Sequence, residues 1–246
     1  MLRRTFLFLA LSVALYGAEP FFLQDGQRVV FLGDSITQGG TYVEYVEAYL
    51  LTSYPAKKFD VIKLGLSSET VCGLTEPDHP YPRPNVHDRV DSALQKTKPN
   101  VVVINYGMND GIYHPLSKER FAAYQQGIRK LIAKIKEAGA VPVALTPSMF
   151  DVLPKGSAPV DINAKQFGYK TPYKEYDSVL EAYGKWLMSL RKEGLMVIDA
   201  HRPMLDYTRK QRKTDPNFTL AKDGVHPGAL GHWIMAESIL KAWGAP

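Results

Sequence analysis

An α/β protein, built on a mostly parallel sheet with helices on both faces, is what these 246 residues predict. Short β-branched runs alternate with longer stretches of helical periodicity, the pattern of βαβ crossovers. Hydrophobic residues make up 45% and charged residues 22% of the sequence, enough apolar surface for one full-sized core and too short a chain for two ordinary domains with linkers. With 19 glycines and 17 prolines, the composition lies far from that of collagen-like or disordered chains.

The chain opens with Arg3 and Arg4, an apolar run over residues 5–16, and the small residues Gly17 and Ala18. This is the layout of a secretory signal peptide, whose apolar segment is too short to span a bilayer. Residues 1–18 are expected to be removed, leaving residues 19–246 as a single domain in the periplasm or outside the cell. The formal net charge of +5 falls to +3 without Arg3 and Arg4, too mild to indicate a nucleic-acid partner. The cluster Arg209, Lys210, Arg212 and Lys213 reads as a solvated loop. No later apolar run is long enough for a membrane span, so no stable membrane insertion is expected after cleavage. Cys72, the one cysteine, can form no internal disulfide and reads as a small buried hydrophobe.

The first strand is read at residues 28–32 (RVVFL), and a helix follows over 42–53, with Tyr42, Tyr45, Val46 and Tyr49 at helical spacing. Residues 60–64 (DVIKL) and 101–106 (VVVINY) are the next two strands. A helix over 121–138 repeats the apolar spacing through Phe121, Tyr124, Ile128, Leu131, Ile132 and Ile135, and Gly139 closes it. Residues 141–146 (VPVALT) form the fourth strand, 179–192 a helix ending at Gly194, 195–198 (LMVI) the fifth strand and 231–242 the last helix. Three stretches break the rhythm: 77–84 (PDHPYPRP), a loop insertion over 147–172, and a polar run over 202–222. Loops that follow parallel strands lie at the carboxyl edge, where ligands bind, so the insertion over 147–172 is expected to help wall a site.

Three polar signals fall just beyond three successive strands: Gly33-Asp34-Ser35, then Ser67 and Ser68, then Gly107-Met108-Asn109-Asp110. A strand order of 2-1-3-4-5 makes those loops neighbours at the topological switch point. The fourth signal is Asp223-Gly224-Val225-His226. A serine nucleophile needs a general base within hydrogen-bond reach, and the base needs a third group to hold its tautomer. Asp223 and His226 can supply both from one turn. Of the other histidines, His87 beside Asp88 and His114 beside the third-strand loop stay open, whereas His79, His201 and His232 lack an equally placed carboxylate. Asp34, Asn105 and Asp110 read as bracing groups. Residues 33–40 lack the Gly-Lys-Ser/Thr of a phosphate-binding loop.

In this order the four blocks resemble those of the GDSL or SGNH hydrolases, and the resemblance runs over about residues 28–243. It implies a flavodoxin-like three-layer α/β/α sandwich around a five-stranded parallel sheet, and a serine esterase mechanism with no metal and no cofactor. Position by position it makes Ser35 the nucleophile, His226 the base, Asp223 the orienting acid and Asn109 a side-chain oxyanion donor beside the Ser35 N–H. Asp34, Gly65, Gly107 and Asp110 take supporting places. The second block departs from the family, which usually has Gly where this chain has Ser68. Either the Ser68 N–H fills that oxyanion position, or a shift of three residues gives it to Gly65.

The expected substrate is a small-molecule or polysaccharide ester, with a short acyl group, acetyl above all, on a carbohydrate. Tyr113, His114, Tyr169, Tyr173 and Tyr176 fall on carboxyl-edge loops, and aromatic faces with polar tips suit sugar rings. A lipase or lysophospholipase would want a wide apolar groove, which the Lys- and Asp-bearing insertion does not offer. An acyltransferase and a non-catalytic carbohydrate-binding protein are the other readings the same fold allows.

Overall fold

The structure is a computed structural model that describes residues 21–245; the leader expected at residues 1–18 lies outside them. Strands β1 (Arg28–Gly33), β2 (Asp60–Gly65), β3 (Val101–Asn105), β4 (Val141–Leu145) and β5 (Met196–Ile198) form a sheet in the order β2-β1-β3-β4-β5. Every pairing is parallel. The expected α/β class, strand positions and strand order are all present. Central strands of such a sheet are covered on both faces and need continuous apolar runs, and Val29–Leu32 of β1 and Val101–Ile104 of β3 are all buried. Strand β2 lies at the sheet's edge and carries Asp60 and Lys63, charges that discourage edge-to-edge pairing.

The helices are α1 (Ser35–Gly39), α2 (Thr41–Ser53), α3 (Val90–Thr97), α4 (Lys118–Glu137), α5 (Tyr176–Ser189), α6 (His201–Gln211) and α7 (Ala229–Ala242). Helices α2 and α6 pack on α7, and α3 packs on α4. Helix α4 meets α5 through Phe121 and Tyr124, both stacked on Tyr183 with ring centres 5.0 and 4.3 Å apart. The two groups of helices make the outer layers of the sandwich.

Two helices lie where the sequence carries few apolar residues. The polar run over 202–222 was expected to be irregular, yet its first half is α6. That helix buries only His201, Met204 and Thr208 among mostly polar residues, too few apolar side chains to set it apart from a polar loop, and its Pro203 is tolerated because it falls in the first turn. Helix α3 buries only Val90 and Leu94. In the insertion, a single 3-10 turn (Leu153–Lys155) and one isolated bridge, Val160 to Tyr173, are the regular features.

Candidate active site

Strand β1 runs into α1 with almost no connection. Asp34 is the helix cap: its carboxylate accepts the Ile36 N–H at 2.9 Å, which leaves Ser35 as the first helical residue. The turn is possible because α1 lies directly on β2. A Cβ on Gly65 would come within 1.9 Å of the Gln38 backbone nitrogen, so Gly65 is spent on that close approach.

Across the cleft, the loop before α7 brings two more side chains to Ser35. Its Oγ lies 2.8 Å from His226 Nε2, and His226 Nδ1 lies 2.6 Å from Asp223 Oδ2. The other carboxylate oxygen of Asp223 accepts the backbone N–H groups of Val225 and His226 at 2.9 and 2.8 Å. Burial works to raise the Asp223 pKa, but the hydrogen bonds from His226 and Val225 together outweigh it and hold the carboxyl below its ordinary range. With Nδ1–H donated to the carboxylate, Nε2 is free to accept the serine proton. A hydroxyl, an imidazole and a carboxylate in this line can generate an alkoxide-like nucleophile.

Opposite them lies the loop after β2. Ser68 has φ +64°, the left-handed conformation that favours glycine, which is how a side chain occupies the position the family gives to Gly. Neither the Ser35 nor the Ser68 N–H has a partner among the described loop and cap hydrogen bonds. The buried Asn109 amide donates to the Glu69 carbonyl at 3.2 Å, which brings it beside the same loop. Ser35, Ser68, Asn109 and His226 share a cavity of about 230 Å³.

Sequence reasoning missed what holds that loop. Arg89 forms a two-bonded ion pair with the buried Glu69, at 2.6 Å each, and Tyr106 donates to the same carboxylate at 2.5 Å. Arg83 is paired in the same way with the buried Glu76 and donates to the Ser68 carbonyl at 3.3 Å. His79, Tyr81 and Arg83 also line the cavity, so the biased patch over 77–84 is a wall of the site. Its position after β2 at the carboxyl edge was the available signal. Of the five aromatic residues expected to face a sugar, only Tyr113 and Tyr169 line the cavity. Tyr173 and Tyr176 are buried, Tyr176 donating to the Met108 carbonyl, and His114 packs on Phe167.

The supporting residues lie behind the cleft. Asp110 accepts the N–H groups of Val71 and Cys72 at 2.8 and 3.0 Å, and Gly107, at φ +136°, has no room for a Cβ, which would lie 2.3 Å from the Pro147 ring. Burial pushes the Asp34 carboxyl up to about 7 and that of Asp110 up to about 6. Burial also raises the Cys72 thiol, as befits a structural cysteine. His87 is tucked away, both ring nitrogens buried without a partner, and has no link to Ser35.

A serine, a histidine and a carboxylate stand in line at the carboxyl edge of a parallel α/β sheet, and the family match makes the class plain: this is a carboxylic ester hydrolase. The chain belongs to the GDSL-like lipase/acylhydrolase family, the SGNH hydrolases, whose family model matches residues 31–234. It is 24% identical over 241 residues to an acetylxylan esterase of Geobacillus stearothermophilus, covering 89% of this chain and 94% of that protein. With an acetylxylan esterase of Xylanibacter ruminicola it shares 25% over 240 residues, 89% of this chain but 43% of the longer relative. Among solved structures, a catalytic mutant of Axe2, an acetylxylan esterase from Geobacillus stearothermophilus, superimposes with a TM-score of 0.66 at 21% identity, covering 92% of this chain and 97% of that one. A gut microbial diltiazem-metabolizing enzyme gives 0.67 at 25%, covering 90% and 48%.

Proposed function

We propose that the protein is an exported esterase that removes short acyl groups, acetyl above all, from carbohydrates, using Ser35 as nucleophile, His226 as general base and Asp223 as its orienting acid. The observation that carries this reading is the unbroken line from Ser35 Oγ through His226 to Asp223. His226 takes the serine proton as Oγ attacks the ester carbonyl, and the developing oxyanion is received by the N–H groups of Ser35 and Ser68 and the Asn109 amide. His226 then protonates the leaving alcohol, and water, activated by the same imidazole, releases the acid. The small cavity supports a short acyl group, and its polar and aromatic walls, with Val225 and Pro80 the aliphatic residues among them, support a sugar over a lipid. The acetylxylan esterases among the relatives point the same way. A pure binding protein has no use for a base hydrogen-bonded to a serine.

The test is hydrolysis of p-nitrophenyl esters of increasing chain length and of acetylated xylo-oligosaccharides by the mature chain. Acetyl should be preferred, Ser35→Ala should fall to background, and a folded Asn109→Ala should lose about 10²- to 10³-fold in kcat. Preference for long acyl chains, or full turnover by Ser35→Ala, overturns the reading. Export is tested by N-terminal sequencing of the cell-envelope and medium fractions: a chain beginning after Ala18 supports it, and an unprocessed cytoplasmic chain overturns it.

A further inference from the structure

The loop that carries Asp223 and His226 is closed on itself by the Gly228 N–H on the Leu220 carbonyl at 2.7 Å, and it is also tied to a residue outside all four motif blocks. Asp151, on the loop after β4, donates its backbone N–H to the Gly224 carbonyl at 2.8 Å. The two backbones approach so closely there that a Cβ on Gly224, itself at φ +80°, would lie 2.3 Å from the Asp151 carbonyl oxygen. The Asp151 side chain is only 3% exposed. Its carboxylate accepts Arg212 Nη2 at 2.8 and 2.7 Å and the Thr219 hydroxyl at 2.6 Å. Arg212 caps the end of α6, and Thr219 begins the turn that leads through Ala221 to Asp223, with Gly224 N–H on the Ala221 carbonyl at 2.9 Å. The Asp151 carboxylate therefore gathers the end of α6 and the middle of the excursion that follows it, while the Asp151 backbone N–H grips the Gly224 carbonyl, one residue beyond Asp223. Asp151 is held from its far side as well, since the Leu153 N–H donates to it at 3.1 Å and the Phe150 N–H donates to Asp177 at 2.8 Å.

We propose that Asp151, with Arg212 and Thr219, forms a positioning brace that sets the reach of His226 to Ser35. The inference rests on the Ser35–His226–Asp223 reading above. His226 and Asp223 are both about half exposed, so packing covers only part of each side chain and the backbone beneath them sets their reach; a misplacement of about 1 Å in a catalytic group can cost on the order of 10²-fold.

The experiment measures kcat and KM on p-nitrophenyl acetate for Asp151→Asn, Thr219→Val and Ser35→Ala, each checked for folding by circular dichroism. It is joined by the low-field proton NMR signal of the His226 Nδ1–H. Asp151→Asn should lower kcat by roughly 10- to 100-fold with KM little changed, and should broaden or shift the Nδ1–H signal. Thr219→Val, which leaves the ion pair intact, should show the same signs at smaller amplitude. A brace that matters only for folding would lower the melting temperature and leave kcat and the NMR signal at wild-type values, and that result overturns the proposal. If Asp151→Asn does not fold, Thr219→Val decides, and its wild-type kcat and NMR signal would overturn the brace. Wild-type turnover in Asp151→Asn beside an inactive Ser35→Ala removes the brace alone, whereas an active Ser35→Ala removes the serine reading and the brace with it.

Discussion

Ser68 occupies a left-handed conformation that costs a side-chain-bearing residue about 1–2 kcal/mol, and it departs from the family at a position where the backbone N–H is the functional group. Glycine there would relieve that strain but would enlarge the unfolded ensemble, at a cost of about 0.5–1 kcal/mol. The first effect is the larger, so Ser68→Gly should be as stable as the wild type or slightly more so by thermal denaturation. Because the N–H survives, kcat should stay within about threefold; a tenfold loss would show that the hydroxyl, 3.3 Å from that of Tyr81, takes part. Ser35, Asn109, Asp223 and His226 were legible because each lies in a short motif just past a strand or before the last helix. The brace and the walls were not. Arg212 reads as one charge in a basic cluster because its partner Asp151 is 61 residues away, and His79, Tyr81 and Arg83 obey no spacing that separates them from an ordinary proline-rich loop.

Elements were legible in proportion to the width of the apolar stripe they bury. Helix α4, with Tyr124, Ile128, Leu131 and Ile135 inside, stands out in sequence; α6 and α3 bury two or three residues each and do not. Helix α1 is five residues long, and no periodicity can be read from so few. Its existence rests on Asp34, a cap that is also a buried acid. The Asp34 carboxyl titrates near 7 in the folded protein against 3.8 ordinarily, so the native state holds its proton more tightly than the unfolded chain. The stability this contributes is full below about pH 4 and is lost as the pH rises through about 7. Asn keeps an oxygen for the Ile36 N–H and has nothing to ionise. The stability of Asp34→Asn relative to the wild type should therefore rise between pH 4 and pH 8 in urea denaturation; a difference independent of pH would mean that Asp34 does not titrate in that window.

At the scale of the whole molecule, the two ends of the described chain close on each other. Phe22 donates its backbone N–H to the Trp243 carbonyl at 2.8 Å and stacks on the indole with ring centres 5.8 Å apart, Phe21 stacks on Tyr54 at 4.7 Å, and Leu23 is fully buried. Trp243 in turn lies against Phe31 of β1, its ring centre 6.4 Å away, so these contacts reach an interior strand of the sheet. The expected cleavage after Ala18 leaves all three residues in the mature protein, and a cut a few residues later would not. Full burial of a large apolar side chain contributes about 1.5–3 kcal/mol. One buried and two partly buried side chains then amount to about 4 kcal/mol, which for a chain of this size corresponds to a fall in Tm of roughly 10 °C. Thermal unfolding of the chain starting at residue 19 against one starting at residue 25 measures this directly. Equal melting temperatures would show that the aromatic closure contributes nothing to the fold, and would remove any structural constraint from this segment on the proposed cleavage point.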